Sequence, residues 1–210
     1  MENKTNEEIR TAARESLSGN WGSAIFALLV LTVAMQLASL VTAIPVLGFL
    51  AWISLAILLT YGAEIYGLRV ARDREFMLDN LFCGFKDALP KLTTMLLATL
   101  YTILWSLLFI IPGIIKLYSY AMVSYIVEEQ GLSNNEAIEE SMRLMEGHKM
   151  RLFLMNLHFG VLALLSALTL FIGLLWLAPY IRVTMGHFYL DLKANDRAAI
   201  DPISIAEKAE

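Results

Sequence analysis

The sequence predicts an all-α protein: a polytopic membrane bundle of about six transmembrane helices in three hairpins, with short amphipathic cytoplasmic helices between them. Residues 21–63 carry no charged side chain over 43 positions, whereas a helix needs only about 20 apolar residues to cross a bilayer. The whole chain is 58% hydrophobic and 17% charged, against roughly 25% charged in an ordinary globular domain. Two further apolar blocks are 92–127, which is broken by Lys116, and 152–190, which is broken by Arg182.

Turn residues divide each apolar block near its middle. Pro45 and Gly48 interrupt the first block, Pro112 and Gly113 the second, and Gly173 the third. Proline lacks an N–H and glycine tolerates turn geometry, so both end helices. The predicted helices are therefore 22–44, 47–68, 92–111, 114–130, 152–171 and 174–191.

The polar segments between these blocks predict amphipathic helices. Thr5 with Glu8, and Ser133 with Glu136, fit the capping-box pattern, and Asp79 is a third candidate helix cap. Each precedes apolar residues at helical spacing. The chain then consists of three units, an amphipathic helix followed by a hairpin, which either repeat one another or only share common helix caps.

We therefore expect a single integral membrane domain over residues 1–210. Its predicted parts are an amphipathic cytoplasmic segment (1–20), hairpin 1 (21–68), a cytoplasmic linker (69–91), hairpin 2 (92–130), an amphipathic cytoplasmic helix (131–151), hairpin 3 (152–191) and a cytoplasmic tail (192–210).

The distribution of lysine and arginine predicts the orientation. Fourteen of the sixteen lie in the terminal segments and the two long linkers, and none lies in the three short turns. Positive residues near helix ends favour the cytoplasmic side. The N- and C-termini are thus expected in the cytoplasm, with the protein in the cytoplasmic (inner or plasma) membrane.

Arg182 is the main candidate for a functional residue. It lies about 12 Å from the outer end of its predicted helix, close to the bilayer midplane. A charge at that depth is costly and must face the bundle interior or a wet cavity. Gln36, Tyr120 and Tyr180 are the expected neighbours in an intramembrane polar site. The alternative is a structural arginine whose hydrogen bonds are all made to adjacent helices.

Four other polar residues are weaker candidates. His158 and His187 fall at one level of the third hairpin, which suggests a metal or proton relay, although helix packing is the simpler role. Lys116 lies near the outer turn and can extend its ammonium group to the interface. Glu64 lies near the cytoplasm, where it is solvated or paired with Arg69.

No catalytic motif is found in the sequence. A nucleophile elbow, a phosphate-binding loop and paired catalytic carboxylates are all missing, so we expect no enzymatic activity, no metal and no cofactor. The net charge of −4 gives no reason to expect a nucleic acid. The expected partners are membrane lipids, and either a cytosolic protein or further copies of the chain. The segment 136–149 is the first choice for a protein contact.

Several stretches of the chain resemble one bacterial family of membrane proteins. They are RxxARESLSGNW in the first segment, IIPGIIKLYSYAMVSYIVEE, SNNEAIEESMRLMEGHKMRLF and LTLFIGLLWLAPYIRVTMGHFYLDL. Together they are similar to the family known as domain of unknown function 975. The resemblance covers nearly the whole chain. It implies a bacterial multi-pass membrane protein and carries no activity with it.

Two functional classes follow from these features. The first is a non-enzymatic scaffold or interaction protein that acts through its cytoplasmic helices, because nearly all polar surface is expected on that side. The alternative is a small transporter or channel for a polar or anionic solute or lipid, with Arg182 in the internal site. An intramembrane enzyme would rest on location alone.

Overall fold

The computed structural model describes residues 4–40, 46–167 and 172–207, with side chains to Asp196, and these residues form helices and turns without a β-strand. This confirms the all-α prediction. The elements in chain order are α1 (Asn6–Leu17), α2 (Trp21–Ser39), α3 (Leu47–Asp73), a 3₁₀ helix (Leu78–Phe85), α4 (Ala88–Leu108), α5 (Ile110–Ser119), α6 (Val123–Gln130), α7 (Asn134–Leu144), α8 (Lys149–Ala167) and α9 (Leu174–Glu207).

Five of the described segments are long and apolar enough to cross a membrane: α2, α3, α4, the α5–α6 stretch and α8. Large apolar side chains are exposed along them, including Val33, Leu107 and Leu164. A lipid environment makes such exposure favourable, and the protein is accordingly a membrane protein. The sixth predicted span, 174–191, forms the first part of α9, and the predicted tail continues that helix to Glu207.

The turn in the second apolar block lies earlier than predicted. The chain between α4 and α5 is extended at Phe109, and Pro112 lies inside the first turn of α5. Proline is tolerated there because the first N–H groups of a helix have no intrahelical partner. The predicted turns at 45–48 and 171–173 lie partly outside the described residues.

The predicted helix 114–130 is two helices, because residues 120–122 form a turn between α5 and α6. Ser141 of α7 compensates for this break. Its hydroxyl donates to the Ser119 carbonyl at 2.8 Å and accepts from the Met122 N–H at 3.2 Å. Ser141 is fully buried, and an amphipathic helix therefore completes the hydrogen bonding of an interrupted membrane segment.

The apolar faces of α1 and α7 pack into the bundle, as the stripes predicted. Ile9 and Leu17 of α1 and Ile138 of α7 are almost fully buried. The capping box of Thr5 and Glu8 is confirmed, with both reciprocal bonds present.

Two predicted caps do not form. Ser133 precedes α7 but makes no capping hydrogen bond, and the Asn134 N–H donates to the Thr94 hydroxyl of α4. Asp79 lies within the 3₁₀ helix and pairs with Lys86.

Helices α3 and α9 form the most extensive pairing in the described chain. Two glycines allow their backbones to approach. A methyl group at Gly186 would lie 2.8 Å from the Gly67 carbonyl oxygen, and one at Gly67 would overlap the Arg182 carbonyl oxygen. Small residues permit this close approach in membrane bundles. The pairing brings side chains of the first and last helix pairs together.

The turn before α2 and the turn before α8 share one geometry. Gly19 and Gly147 have φ angles of +80° and +77°. The backbone bonds from Asn20 to Leu17 and from Ala24 to Asn20 recur from His148 to Met145 and from Leu152 to His148. Equivalent positions are 128 residues apart in each case. This shared geometry supports repetition of the first and third units.

Candidate binding cavity at Glu64

A cavity of about 420 Å³ lies beside the break between α5 and α6. Its wall is largely apolar, with a few polar groups that converge on it. The polar lining residues are Glu64 of α3, Thr99 and Thr102 of α4, Tyr118 of α5, Tyr120 and Ser124 beside the break, and Asn156 of α8. A largely apolar cavity with a few convergent polar groups is typical of small-molecule sites.

Glu64 is the charged group in this lining. Its Oε2 accepts a hydrogen bond from the Ser124 hydroxyl, and its Oε1 lies 3.6 Å from Nη1 of Arg182. Among the described residues, Oε1 receives no hydrogen bond. Glu64 also lines an adjoining cavity of about 240 Å³. One oxygen of the carboxylate is therefore held by Ser124, and the other is paired with Arg182 at ion-pair distance without a hydrogen bond.

The close packing of α3 and α9 explains this ion pair. Gly67 lies one helical turn from Glu64, and the Arg182 backbone packs directly on it. Arg182 is thereby aligned with Glu64, while its side chain stays about one-third exposed. The ion pair satisfies the expectation that an arginine in this part of the chain faces another polar group.

Arg182 and Glu64 were predicted at different depths, Arg182 close to the bilayer midplane and Glu64 near the cytoplasm. The ion pair brings the two side chains to one level of the bundle. Glu64 lies about 25 Å along α3 from Leu47. The depth of the pair in a membrane stays a prediction.

The predicted neighbours of Arg182 are only partly brought together. Tyr120 lines the Glu64 cavity. Tyr180 instead lies under the Arg14 guanidinium, 5.4 Å from the ring centroid, and lines a separate cavity of about 380 Å³. Gln36 is exposed on α2 and is not part of either cavity lining.

The weaker candidates occupy separate places. His187 shares a 2.9 Å hydrogen bond with the Ser16 hydroxyl of α1, whereas His158 packs edge-on against Phe159. In the described part of the chain, no group of three metal-ligating side chains is assembled. Lys116 lies 5.3 Å from the ring centroid of Trp105 and also contacts the Tyr120 ring.

Arg69 is not the partner of Glu64. It donates to Glu128 of α6 at 3.1 Å and to Asn80 of the 3₁₀ helix at 2.5 Å. Asp191 likewise pairs with Arg151 at 2.7 Å. These charges lie at the end of α3 and α9 away from the exposed apolar turns.

Five polar lining residues were not predicted: Thr99, Thr102, Tyr118, Ser124 and Asn156. Each is a common residue in an apolar helix, where threonine and serine hydroxyls usually bond to their own backbone. One signal for this site was present in the sequence. The fourth predicted helix, 114–130, is shorter than the roughly 20 residues of a typical membrane span, and short or interrupted segments accompany binding sites in transporters.

Comparison with known proteins gives a family and no function. The family described as "Protein of unknown function (DUF975)" matches residues 1–122 and 107–196. No curated protein matches the chain. No solved structure matches it either. The matched segments cover most of the sequence, including α3, the α5–α6 break and Arg182, and the chain belongs to the DUF975 family.

Proposed function

We propose that this membrane protein is a carrier for a small amphipathic molecule, and that the molecule binds in the Glu64 cavity. The observation that supports it is the Glu64 carboxylate, which lines a 420 Å³ cavity beside an interrupted helix. Interrupted membrane helices accompany the substrate sites of many transporters. The proposal develops the transport alternative and moves its centre from Arg182 to Glu64.

The lining favours a ligand that donates hydrogen bonds. Glu64 reaches the cavity, whereas Arg182 is not among its lining residues. The Tyr120 ring adds an aromatic face, which attracts cations. An ammonium group with a short apolar chain satisfies the carboxylate, the ring and the apolar wall together. The expected ligand is therefore an amine and not the anion that an arginine-centred site would bind.

Titration calorimetry on the full chain in lipid nanodiscs tests this proposal. The probes are hexylammonium, hexanoate and hexanol, with empty nanodiscs as the blank. Hexylammonium is expected to bind above the blank. Glu64→Gln should lower the affinity for hexylammonium about tenfold, because a charge-assisted hydrogen bond is lost. Thr93→Ala, an exposed change on α4 outside the cavity, should leave binding unchanged.

The other outcomes contradict specific parts of the proposal. If hexanoate binds to the wild type and this binding is lost in Arg182→Gln, the result would support an anion site at Arg182 instead. Equal binding of hexylammonium by the wild type and Glu64→Gln would exclude Glu64 as its site. Gel filtration before the titration checks whether Glu64→Gln is partly unfolded. In that case Ser124→Ala is the milder variant, because it keeps the Glu64 carboxylate and removes only the hydroxyl that bonds to it.

A scaffold function is the second candidate, and the exposed face of α7 supports it. The apolar face of α7 is buried, while Glu136 and Glu139 of this helix and Glu146 in the turn after it are exposed. Arg143 bonds both Glu140 and Asp196 and holds the pKa of both carboxyls below their usual range. A basic peptide is the matching partner. Binding of a hexalysine peptide that is lost when the three exposed glutamates become glutamine would favour this function.

A further inference from the structure

A compact ion network joins α3, α4 and α6 at the charged end of the bundle. Glu128 accepts from Arg69 at 3.1 Å, from Lys91 at 3.0 Å and from the Tyr61 hydroxyl at 2.9 Å. Lys91 also donates to the Cys83 carbonyl at 3.0 Å. Charge-assisted bonds of this kind fix side-chain positions. The network is therefore a preformed arrangement of cations.

Glu129, the next residue in α6, is likewise bonded to two cations and a tyrosine hydroxyl. Glu129 bonds to both Arg72 and Lys193, and the Tyr189 hydroxyl donates to it at 3.3 Å. Its side chain is 8% exposed. Each glutamate is thus shared by two cations. Arg72 also pairs with the exposed Asp73.

A cavity of about 480 Å³ opens on the Glu128 side of this network. Its charged lining consists of three cations, Arg69, Lys86 and Lys91, and two carboxylates, Asp87 and Glu128. The lining therefore has one positive charge in excess. Repulsion from Asp87 opposes anion binding, but Glu128 is already neutralised by two of the cations.

Lys86 is the cation most available to a ligand. Its partner Asp79 and its own side chain are both about two-thirds exposed. An exposed pair of this kind contributes little and is screened by salt. The Ser133 hydroxyl lies in the same lining and makes no capping bond, so it offers a further donor.

We propose that this cavity binds the phosphate group of a phosphate ester. The anion is attracted by the excess positive charge of the lining and receives hydrogen bonds from Lys86, Lys91 and Ser133. Basic pockets between membrane helices bind the head groups of anionic lipids in this way. The same chemistry is offered by a lipid phosphodiester and by a free sugar or glycerol phosphate.

Two measurements on the full chain distinguish these sources. Native mass spectrometry from mixed micelles compares phosphatidylglycerol with phosphatidylcholine. Calorimetry on phosphatidylcholine nanodiscs measures binding of glycerol 3-phosphate. The variant Lys86→Gln is expected to fold, because Lys86 is exposed. Its affinity for whichever anion binds should be lower by about fivefold. Lys149→Gln, which removes a lysine outside this lining, is the matched control.

A lipid site is identified if the protein retains phosphatidylglycerol in preference to phosphatidylcholine, and if this preference falls in Lys86→Gln but not in Lys149→Gln. Binding of glycerol 3-phosphate with the same dependence identifies a soluble phosphate ester. Equal losses in Lys86→Gln and Lys149→Gln would mean general charge attraction and would overturn the proposal. The proposal is also overturned if phosphatidylglycerol is retained no better than phosphatidylcholine and glycerol 3-phosphate does not bind above empty nanodiscs.

Discussion

Gly67 shows how one small residue positions a charged pair between distant parts of the chain. Its α-carbon faces the Arg182 carbonyl, and a side chain there would overlap the α9 backbone. Because both partners are backbone atoms in helices, neither can move aside without shifting a whole element. The Glu64–Arg182 distance therefore depends on a residue that carries no chemistry itself.

Replacing Gly67 by alanine should destabilise the fold by about 2 kcal/mol, because the added methyl group overpacks a helix contact. Unfolding in micelles by increasing SDS, followed by circular dichroism, measures the change. Gly160→Ala is the matched control. Gly160 lies within α8 and has no neighbouring heavy atom within 4 Å of an added methyl group. The control should be neutral or stabilising by up to about 1 kcal/mol. Equal losses in both variants would contradict the packing argument.

At the scale of elements, the break between α5 and α6 depends on α7. A membrane segment cannot leave backbone groups unpaired in lipid, since each costs several kcal/mol. Ser141 pairs one carbonyl and one N–H at this break. Helix α7 is thus an integral part of the bundle and not a separate surface helix. Its position also helps to keep Tyr120 and Ser124 at the cavity.

Ser141→Ala should lower the free energy of unfolding by about 2 kcal/mol, because two buried backbone groups lose their partner. The same SDS titration measures it. Ser54→Ala removes a hydroxyl that bonds only to the Leu50 carbonyl within α3, and a change below about 0.5 kcal/mol is expected. A loss in Ser141→Ala no larger than in Ser54→Ala would show that water or relaxation satisfies the break.

For the whole molecule, the charged residues gather at one end and the apolar turns at the other. Lys86 lies in the charged region, whereas Val46 precedes α3 at the apolar end and is 71% exposed. The positive-inside rule predicts that the charged end faces the cytoplasm. This orientation remains a prediction, and cysteine labelling can test it.

The native Cys83 is a poor reporter for such a test. It is 3% exposed, and burial raises the pKa of its thiol to about 11. Since the thiolate is the reactive form, labelling at pH 7.5 should be slow on either side of the membrane. New cysteines are therefore placed in a Cys83→Ser background.

In that background, Val46→Cys should react with an impermeant maleimide in intact cells. Lys86→Cys should react only after the membrane is permeabilised. The two variants serve as controls for each other, because each is exposed on the folded protein. The opposite pattern would invert the predicted topology, with both termini outside.

Hydropathy and residue type allowed much of the fold to be predicted. Helix class, approximate spans and the Thr5 capping box follow from neighbours within one or two turns, so local sequence carries them. The break at residues 120–122 was missed because its hydrogen bonds come from Ser141, in another helix. The pairing of Arg182 with Glu64 was missed as well, since the offset between two helices arises from packing.

Apolar length and charge are read along the chain, so local sequence is enough to predict a membrane protein built of helices. Which polar groups meet depends on how the helices pack. Glu64 pairs with Arg182 and not with Arg69 because glycines bring α3 and α9 together. The same packing leaves Gln36 exposed on α2. Contacts between residues far apart in the chain depend on packing, which no local pattern encodes.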